Sequence, residues 1–163
     1  MKTEIITNPE NAIFEAKREF KADISLVWRA WTEAGLLDQW WAPAPWKCET
    51  RSMDFKEGGK WNYEMVGPGG EKHGGIQIYE KISIEDFFSG KDAFADENGN
   101  IKNDLPVCTW KNTFLKTETG TLVTSVAHYP TPEDLETVLQ MGMAQGLSVA
   151  HNQLEEILRE LSH

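Results

Sequence analysis

Cysteine is nearly missing from this chain. Cys48 and Cys108 are the only two, and a pair sixty positions apart makes neither a disulfide framework nor a metal-binding spacing. Reduced thiols in a cytoplasmic protein are the expectation. Long apolar runs are missing as well. No stretch approaches the ~20 residues that span a bilayer. The opening MKTEIITNPEN lacks the apolar centre of a signal peptide, so no leader is expected. Positive charge is the third deficit: 16 Lys and Arg against 26 Asp and Glu leave a net charge of −10. So acidic a surface repels nucleic acid and anionic membranes. Neither is an expected partner, and the charge is read as a source of solubility.

Signatures of chemistry are equally sparse. The four histidines, His73, His128, His151 and His163, show no paired ligand spacing, so no metal is expected. Ser89–Asp92 contains Gly-Lys without the remainder of a P-loop. The glycines of GPGGEKHGG precede no helix and make a turn, not a dinucleotide fingerprint. Asp96, Asn98 and Asn100 imitate the start of a calcium loop, but Ile101 stands where the loop needs glycine and Val107 where it needs glutamate. No cofactor is expected. No nucleophile elbow is present.

What the chain has in quantity is tryptophan and phenylalanine, seven of each, which places it among folded proteins. At 163 residues a single domain is expected. Residues 12–21 alternate apolar and charged, with Phe14, Ala16 and Phe20 on one side. That is a half-buried strand, and Arg18 on the apolar side suggests it lies near an edge. DISLVWRAWTE repeats Leu26 or Val27, Ala30 and Trp31 at helical spacing. Asp23 or Ser25 can cap its start, and Gly35 is expected to end it. LLDQWW adds a short turn that Pro43 and Pro45 stop.

Residues 47–66 read as a hairpin about Gly58-Gly59, with a positive φ expected at Gly59. Gly67–Gly70 make a tight turn. GIQIYEKI, IEDFFSGKDAF, VCTWKNTFLK and TLVTSVAHY follow as strands. In the last pair, Trp110 and Phe114 share one face, and Leu122, Val126 and His128 share another.

The pattern then switches to helix. Thr131-Pro132-Glu133-Asp134 supplies a cap, a first-turn proline and first-turn acids. Apolar or small residues recur at steps of three or four from Leu135 to Leu161, and one amphipathic helix is expected to about Leu161. Gly142 and Gly146 lie on its stripe, where they allow close approach, room for a cavity, or a bend between Met141 and Met143. The expected fold is α+β: a curved antiparallel sheet of about six to seven strands wrapped around a long C-terminal helix, with two short helices after the first strand.

Core packing against a sheet accounts for Trp28 and Trp31. Trp61, Tyr63, Met65, Trp110 and Phe114 lie on strands, where they line a concave wall or fill a core; alternation alone leaves both open. An apolar cavity between sheet and helix is the reading carried forward. Its expected lining is Trp41, Trp61, Tyr63, Met65, Trp110, Phe114 and His128, with Met141 and Gly142 opposite.

The run FKADISLVWRAWTEAGLLDQWWAP resembles the opening of the family of homologues of the activator of heat-shock-protein-90 ATPase, within the START/SRPBCC superfamily. Asp54 with Gly58-Gly59-Lys60-Trp61, the stretch to Met65, and Gly67–Gly70 continue the resemblance. Tyr79-x-x-Ile82-x-x-Glu85, Gly120–Thr124 and Met141–Gly146 follow in order. It covers about Phe14 to Leu161 and implies the helix-grip fold, with a cavity between sheet and C-terminal helix. Many relatives carry Trp where this chain has Met143, a change expected to reshape one cavity end. The eukaryotic co-chaperone has a separate N-terminal chaperone-binding domain, for which these residues leave no room. The wider superfamily shares no catalytic residue that carries over.

Three functions are therefore expected to compete. The first is binding of a small hydrophobic molecule. The second is a protein-interaction module acting on a chaperone, for which the acidic surface and an exposed Trp40-Trp41 pair would serve. The third is a cyclase or hydrolase, for which His128, Tyr63, Asp54 and Glu64 are the available groups.

Overall fold

The computed structural model describes residues 2–102 and 107–162. The polar stretch 95–106, whose composition predicts a loop, lies partly outside the described residues. Eight strands form one antiparallel sheet: β1 Glu4–Asn8, β2 Ile13–Phe20, β3 Lys47–Met53, β4 Lys60–Val66, β5 Lys72–Ser83, β6 Phe87–Ala95, β7 Cys108–Lys116 and β8 Thr121–His128. Their order across the sheet is β1-β2-β8-β7-β6-β5-β4-β3. After β2 come α1 Ile24–Thr32 and α2 Ala34–Trp40, and after β8 come α3 Pro132–Gln140 and α4 Met143–Leu161. The helices cover one face of the sheet, as an α+β layering requires.

Each element follows from its sequence period. In β2, alternate residues Phe14, Ala16, Arg18 and Phe20 are buried, the period-two signature of a strand with one covered face. α1 buries Val27, Trp28, Ala30 and Trp31. α4 buries Ala150, His151, Leu154 and Leu158 at helical spacing. The main core joins Phe20, the buried apolar residues of α1, and Ala150, Leu154 and Leu158 of α4 to Trp40, Trp61, Tyr79, Phe88 and Phe114. A smaller cluster sets Leu135 of α3 against Ala12, Phe14 and Ala16.

Several expectations change. The sheet has one strand more than the upper expectation, because β1 pairs with β2 from Glu4↔Lys17 to Asn8↔Ile13. Its residues are mostly exposed, so it carries no alternation to read. β2 is therefore not itself the open edge but lies next to it. Arg18 points inward and is 2% exposed. Its Nη1 donates to Asn152 Oδ1 at 2.7 Å and Thr3 Oγ1 at 3.2 Å, and its Nη2 to Glu155 Oε2 at 3.0 Å. The guanidinium thus fastens β2, the N-terminal segment and α4 together, with charge and donors largely satisfied, as burial of a cation demands.

Gly35 does not end α1; that helix stops at Thr32, and Gly35 lies inside α2. The positive φ of the β3–β4 turn is at Gly58, +85°. At Gly59 the constraint is contact: a β-carbon there would lie 2.0 Å from the Asp54 carbonyl oxygen. The long C-terminal helix is two helices, α3 and α4, broken at Gly142. Its φ of +87° lies in the left-handed region that glycine enters without penalty. The Thr131 cap is present, its hydroxyl accepting from Asp134 N at 3.1 Å, with Pro132 in the first turn.

Candidate functional site

The inner face of the sheet is read by following rows across the strands. One row runs Met53↔Trp61↔Gln77↔Asp92↔Cys108. Next to it lie Tyr63↔Gly75↔Phe94 on one side and Tyr79↔Gly90↔Trp110 on the other. The two glycines make room for the two large neighbours. A β-carbon on Gly75 would lie 2.3 Å from the Tyr63 ring, and one on Gly90 would lie 3.1 Å from Trp110 Cζ2 and 2.1 Å from the Ile78 carbonyl oxygen.

This face has two zones. In one, Trp28, Phe55, Tyr79, Phe88, Trp110 and Phe114 meet mainly edge to face, for example Trp28–Phe114 at 5.0 Å and Phe88–Trp110 at 5.4 Å between ring centres, with Phe88 stacked on Phe114. These rings interlock as a filled core. The other zone lies toward the start of α4. There Trp61 stacks on Tyr63 at 4.2 Å, and Trp41 stands edge-on to Trp61 at 5.4 Å and to Tyr63 at 6.3 Å. Tyr129 donates to Met143 Sδ at 3.4 Å. Trp41, Met65, Asp92, Tyr129 and Met143 are half-buried, so at this end the inner face reaches solvent.

The polar groups of this zone are unusual for an apolar surface. Among the described residues Asp92 makes no ion pair. Burial pushes its carboxyl up to about 7. Burial also pushes up the Tyr63 and Tyr129 hydroxyls and the Cys108 thiol, each of which feels the nearby Asp92. Tyr63, Tyr129 and Cys108 are therefore neutral near pH 7 and present hydrogens rather than charge, while Asp92 is about half protonated there. The indole N–H of Trp110 is buried and has no acceptor among the described residues, while that of Trp41 is set against the Tyr63 hydroxyl.

Of the residues expected to line a cavity, Trp41, Trp61, Tyr63 and Met65 converge at this end. Trp110 sits beside it, and Phe114 belongs to the filled zone. His128 does not join them. β8 turns Val123 and Ala127 inward and leaves His128 exposed on the outer face. Met141 is 56% exposed, and no atom lies within 4 Å of a β-carbon placed on Gly142, because the break between α3 and α4 turns both away from the sheet. A β-carbon placed on Gly146 would instead meet Pro43 Cγ at 3.5 Å, an ordinary contact distance. Trp40 is fully buried, and its Nε1 donates to the Ala30 carbonyl at 2.9 Å, so Trp40-Trp41 is no exposed pair.

The possible catalytic groups are likewise dispersed. Asp54 is exposed beside Lys56 at 3.3 Å, Glu64 pairs with Arg51 at 2.6 Å, and His128 lies on the outer face. Asp96 uses its carboxylate to accept from the backbone of Asn98 and Asn100, each at 2.9 Å, so the calcium-like spacing serves a turn. Two grooves of about 450 and 320 Å³ open on the outer side of the sheet and at its rim. Of the expected cavity residues they touch only Trp110 and His128.

Asp92, Cys108 and Tyr129 were absent from the expected lining. The alternation of FFSGKDAFA places Asp92 on the same side as Phe88, so its inward direction was readable. A carboxylate on an apolar face was the signal.

Residues 21–159 match the model of a protein family described as Activator of Hsp90 ATPase homolog 1-like protein. A crystal structure of a protein from Mycobacterium smegmatis is 32% identical with a TM-score of 0.90, covering 97% of both chains. A solution structure from Arthrobacter aurescens is 30% identical with a TM-score of 0.91, covering 96% of this chain and 91% of that one. A crystal structure from Nitrosomonas europaea is 28% identical with a TM-score of 0.82, covering 96% of this chain and 99% of that one. No curated protein matches.

Proposed function

This chain belongs to the Activator of Hsp90 ATPase homolog 1-like family, and from that premise we propose that it binds a small apolar or aromatic molecule at the half-buried end of the inner face, between Trp41, Tyr63, Met65, Asp92 and Met143. The observation that carries the reading is the make-up of that end. Aromatic faces and two thioethers surround a few neutral polar groups, the composition of small-molecule sites. Thioethers adapt to irregular guests, and the Gly142 break frees the start of α4, where Met143 stands, from the strict course of α3.

Thermal-shift and native mass spectrometry against aromatic hydrocarbons, sterols and fatty acids test this reading. A binder present at a hundredfold excess over its Kd should raise Tm by roughly 5–10 °C, with a one-to-one bound mass. A panel giving neither shift nor bound mass contradicts the proposal.

A second reading, contact with a chaperone, is supported by the family's description and by the acidic surface. Its expected docking pair is gone, since Trp40 is buried. A chaperone ATPase rate unchanged by this protein at saturating concentration removes it.

A further inference from the structure

On the premise that the half-buried end of the inner face is the ligand site, we propose that Gln153 of α4 is its positioning residue: by hydrogen bonds to the backbone on either side of Trp41, it fixes that ring as a wall of the site.

Trp41 directly follows Trp40, the last residue of α2. A helix end leaves carbonyl groups without an intrahelical partner. The chain beyond runs Ala42, Pro43, Ala44, Pro45, and enters no helix or strand until β3 begins at Lys47. A side chain from α4 supplies the missing partners. Gln153 Nε2 donates to the Trp40 carbonyl at 3.0 Å and to the Ala42 carbonyl at 2.9 Å. Its Oε1 accepts from Ala44 N at 2.7 Å. A primary amide offers two hydrogens and one acceptor oxygen, and here both hydrogens and the oxygen are engaged.

The chain is thus tied to α4 at the peptide that precedes Trp41 and again at the two that follow Ala42. Trp41 N in turn donates back to the Leu37 carbonyl at 2.9 Å. With its backbone held on both sides, Trp41 keeps its ring edge-on to Trp61 and Tyr63 and its indole N–H against the Tyr63 hydroxyl. The same helix carries Met143 at its first turn, roughly 15 Å away along the axis by the rise per residue. α4 therefore places two walls of the site, one with its own thioether and the other through Gln153.

Two readouts test this: calorimetric titration with acetophenone as the probe, and the hydrogen-exchange rate of the Trp41 indole N–H followed by NMR. Gln153→Met keeps the length of the side chain and removes all three hydrogen bonds; Gln153→Ala removes the bulk as well. Both should bind acetophenone about tenfold more weakly than wild type, the scale of one or two lost hydrogen bonds. Both should exchange the Trp41 indole hydrogen severalfold faster, with the Trp40 indole, bonded to Ala30, unchanged. Thr131→Ala, which removes the cap of α3, controls for a general loss of stability and should leave both readouts at their wild-type values. Wild-type behaviour in Gln153→Met with a loss in Gln153→Ala alone assigns the effect to bulk and overturns the inference. An equal response from Thr131→Ala overturns it as well. Unchanged affinity and exchange in both Gln153 variants, with acetophenone bound, overturn it and leave the ligand site standing. No binding of acetophenone by wild type, with Trp41 exchange quickened in both variants, overturns the premise while the hold of Gln153 on Trp41 stands.

Discussion

Asp92 places a carboxyl where water is scarce, and stability should register the cost. Its folded-state value of about 7 lies above the ~3.9 of an unfolded chain. Between those values the folded protein holds a proton that the unfolded chain has released. Stability contributed by this residue therefore falls as pH rises from about 4 to about 7, then stays level. Asp92→Asn should be the more stable protein at pH 8 by on the order of 2 kcal/mol, with the gap nearly closed at pH 4. Urea midpoints at the two pH values measure it, and a variant weaker than wild type by the same amount at both would show that Asp92 serves packing instead. His151 acts with the opposite sign. Burial first, and Arg18 second, hold it down at about 3, so its contribution is complete above about 6.5 and is lost as pH falls toward 3. Wild-type stability should accordingly change little between pH 4 and 6.5, and His151→Phe should reveal the Asp92 slope. At this scale the sequence was legible where parity was unambiguous: Trp61, Tyr63 and Met65 share the inner face. It misled at His128. Leu122 and Val126 gave β8 an apolar outer side, while its inner side is lined by Thr121, Val123, Ser125 and Ala127, small residues that leave room for Phe14 and the rings of β7.

The elements at the C-terminal end depend on two local devices. Thr131 caps α3 through a hydrogen bond to Asp134 N, and Thr131→Ala should lower stability by on the order of 1 kcal/mol. An unchanged denaturant midpoint would mean the cap contributes nothing. Gly142 sets the break between α3 and α4. Open space surrounds it, yet its φ of +87° penalises any side chain, so Gly142→Leu should destabilise by about 1–2 kcal/mol. The same change at Gly146, which is ordinary helix where an added β-carbon would meet only Pro43, at 3.5 Å, offsets part of any crowding by its gain in helix propensity. A melt in which Gly142→Leu is the more stable of the two contradicts the broken helix. The caps and the 3.6-residue stripe were plain in the sequence. The break was present only as one of three uses for the glycines, because periodicity continues across it from Val138 to Leu154. β1 was unreadable for a different reason: an edge strand with one covered residue, Ile5, has no pattern to show.

At the scale of the molecule, the eight antiparallel strands and four α-helices of the described residues enclose a core whose aromatic rings close one zone and leave the other half-buried. Composition pointed to an aromatic interior, and five of the seven tryptophans, Trp28, Trp31, Trp40, Trp61 and Trp110, are buried in the core. Its outline depended on contacts between residues far apart in the chain, such as Trp41 with Trp61 and Tyr129 with Met143, which no local spacing encodes. The central claim is that a small apolar molecule occupies the unclosed zone. Two-dimensional NMR of the protein titrated with acetophenone tests it most directly, by following the tryptophan indole N–H signals and the methionine methyl signals together. The account predicts saturable shifts of the Trp41 indole and the Met143 methyl, with the Trp40 indole, bonded to Ala30, left in place. Shifts confined to the outer groove around Lys111 and His128, or no saturable shift at Trp41 and Met143, would contradict it.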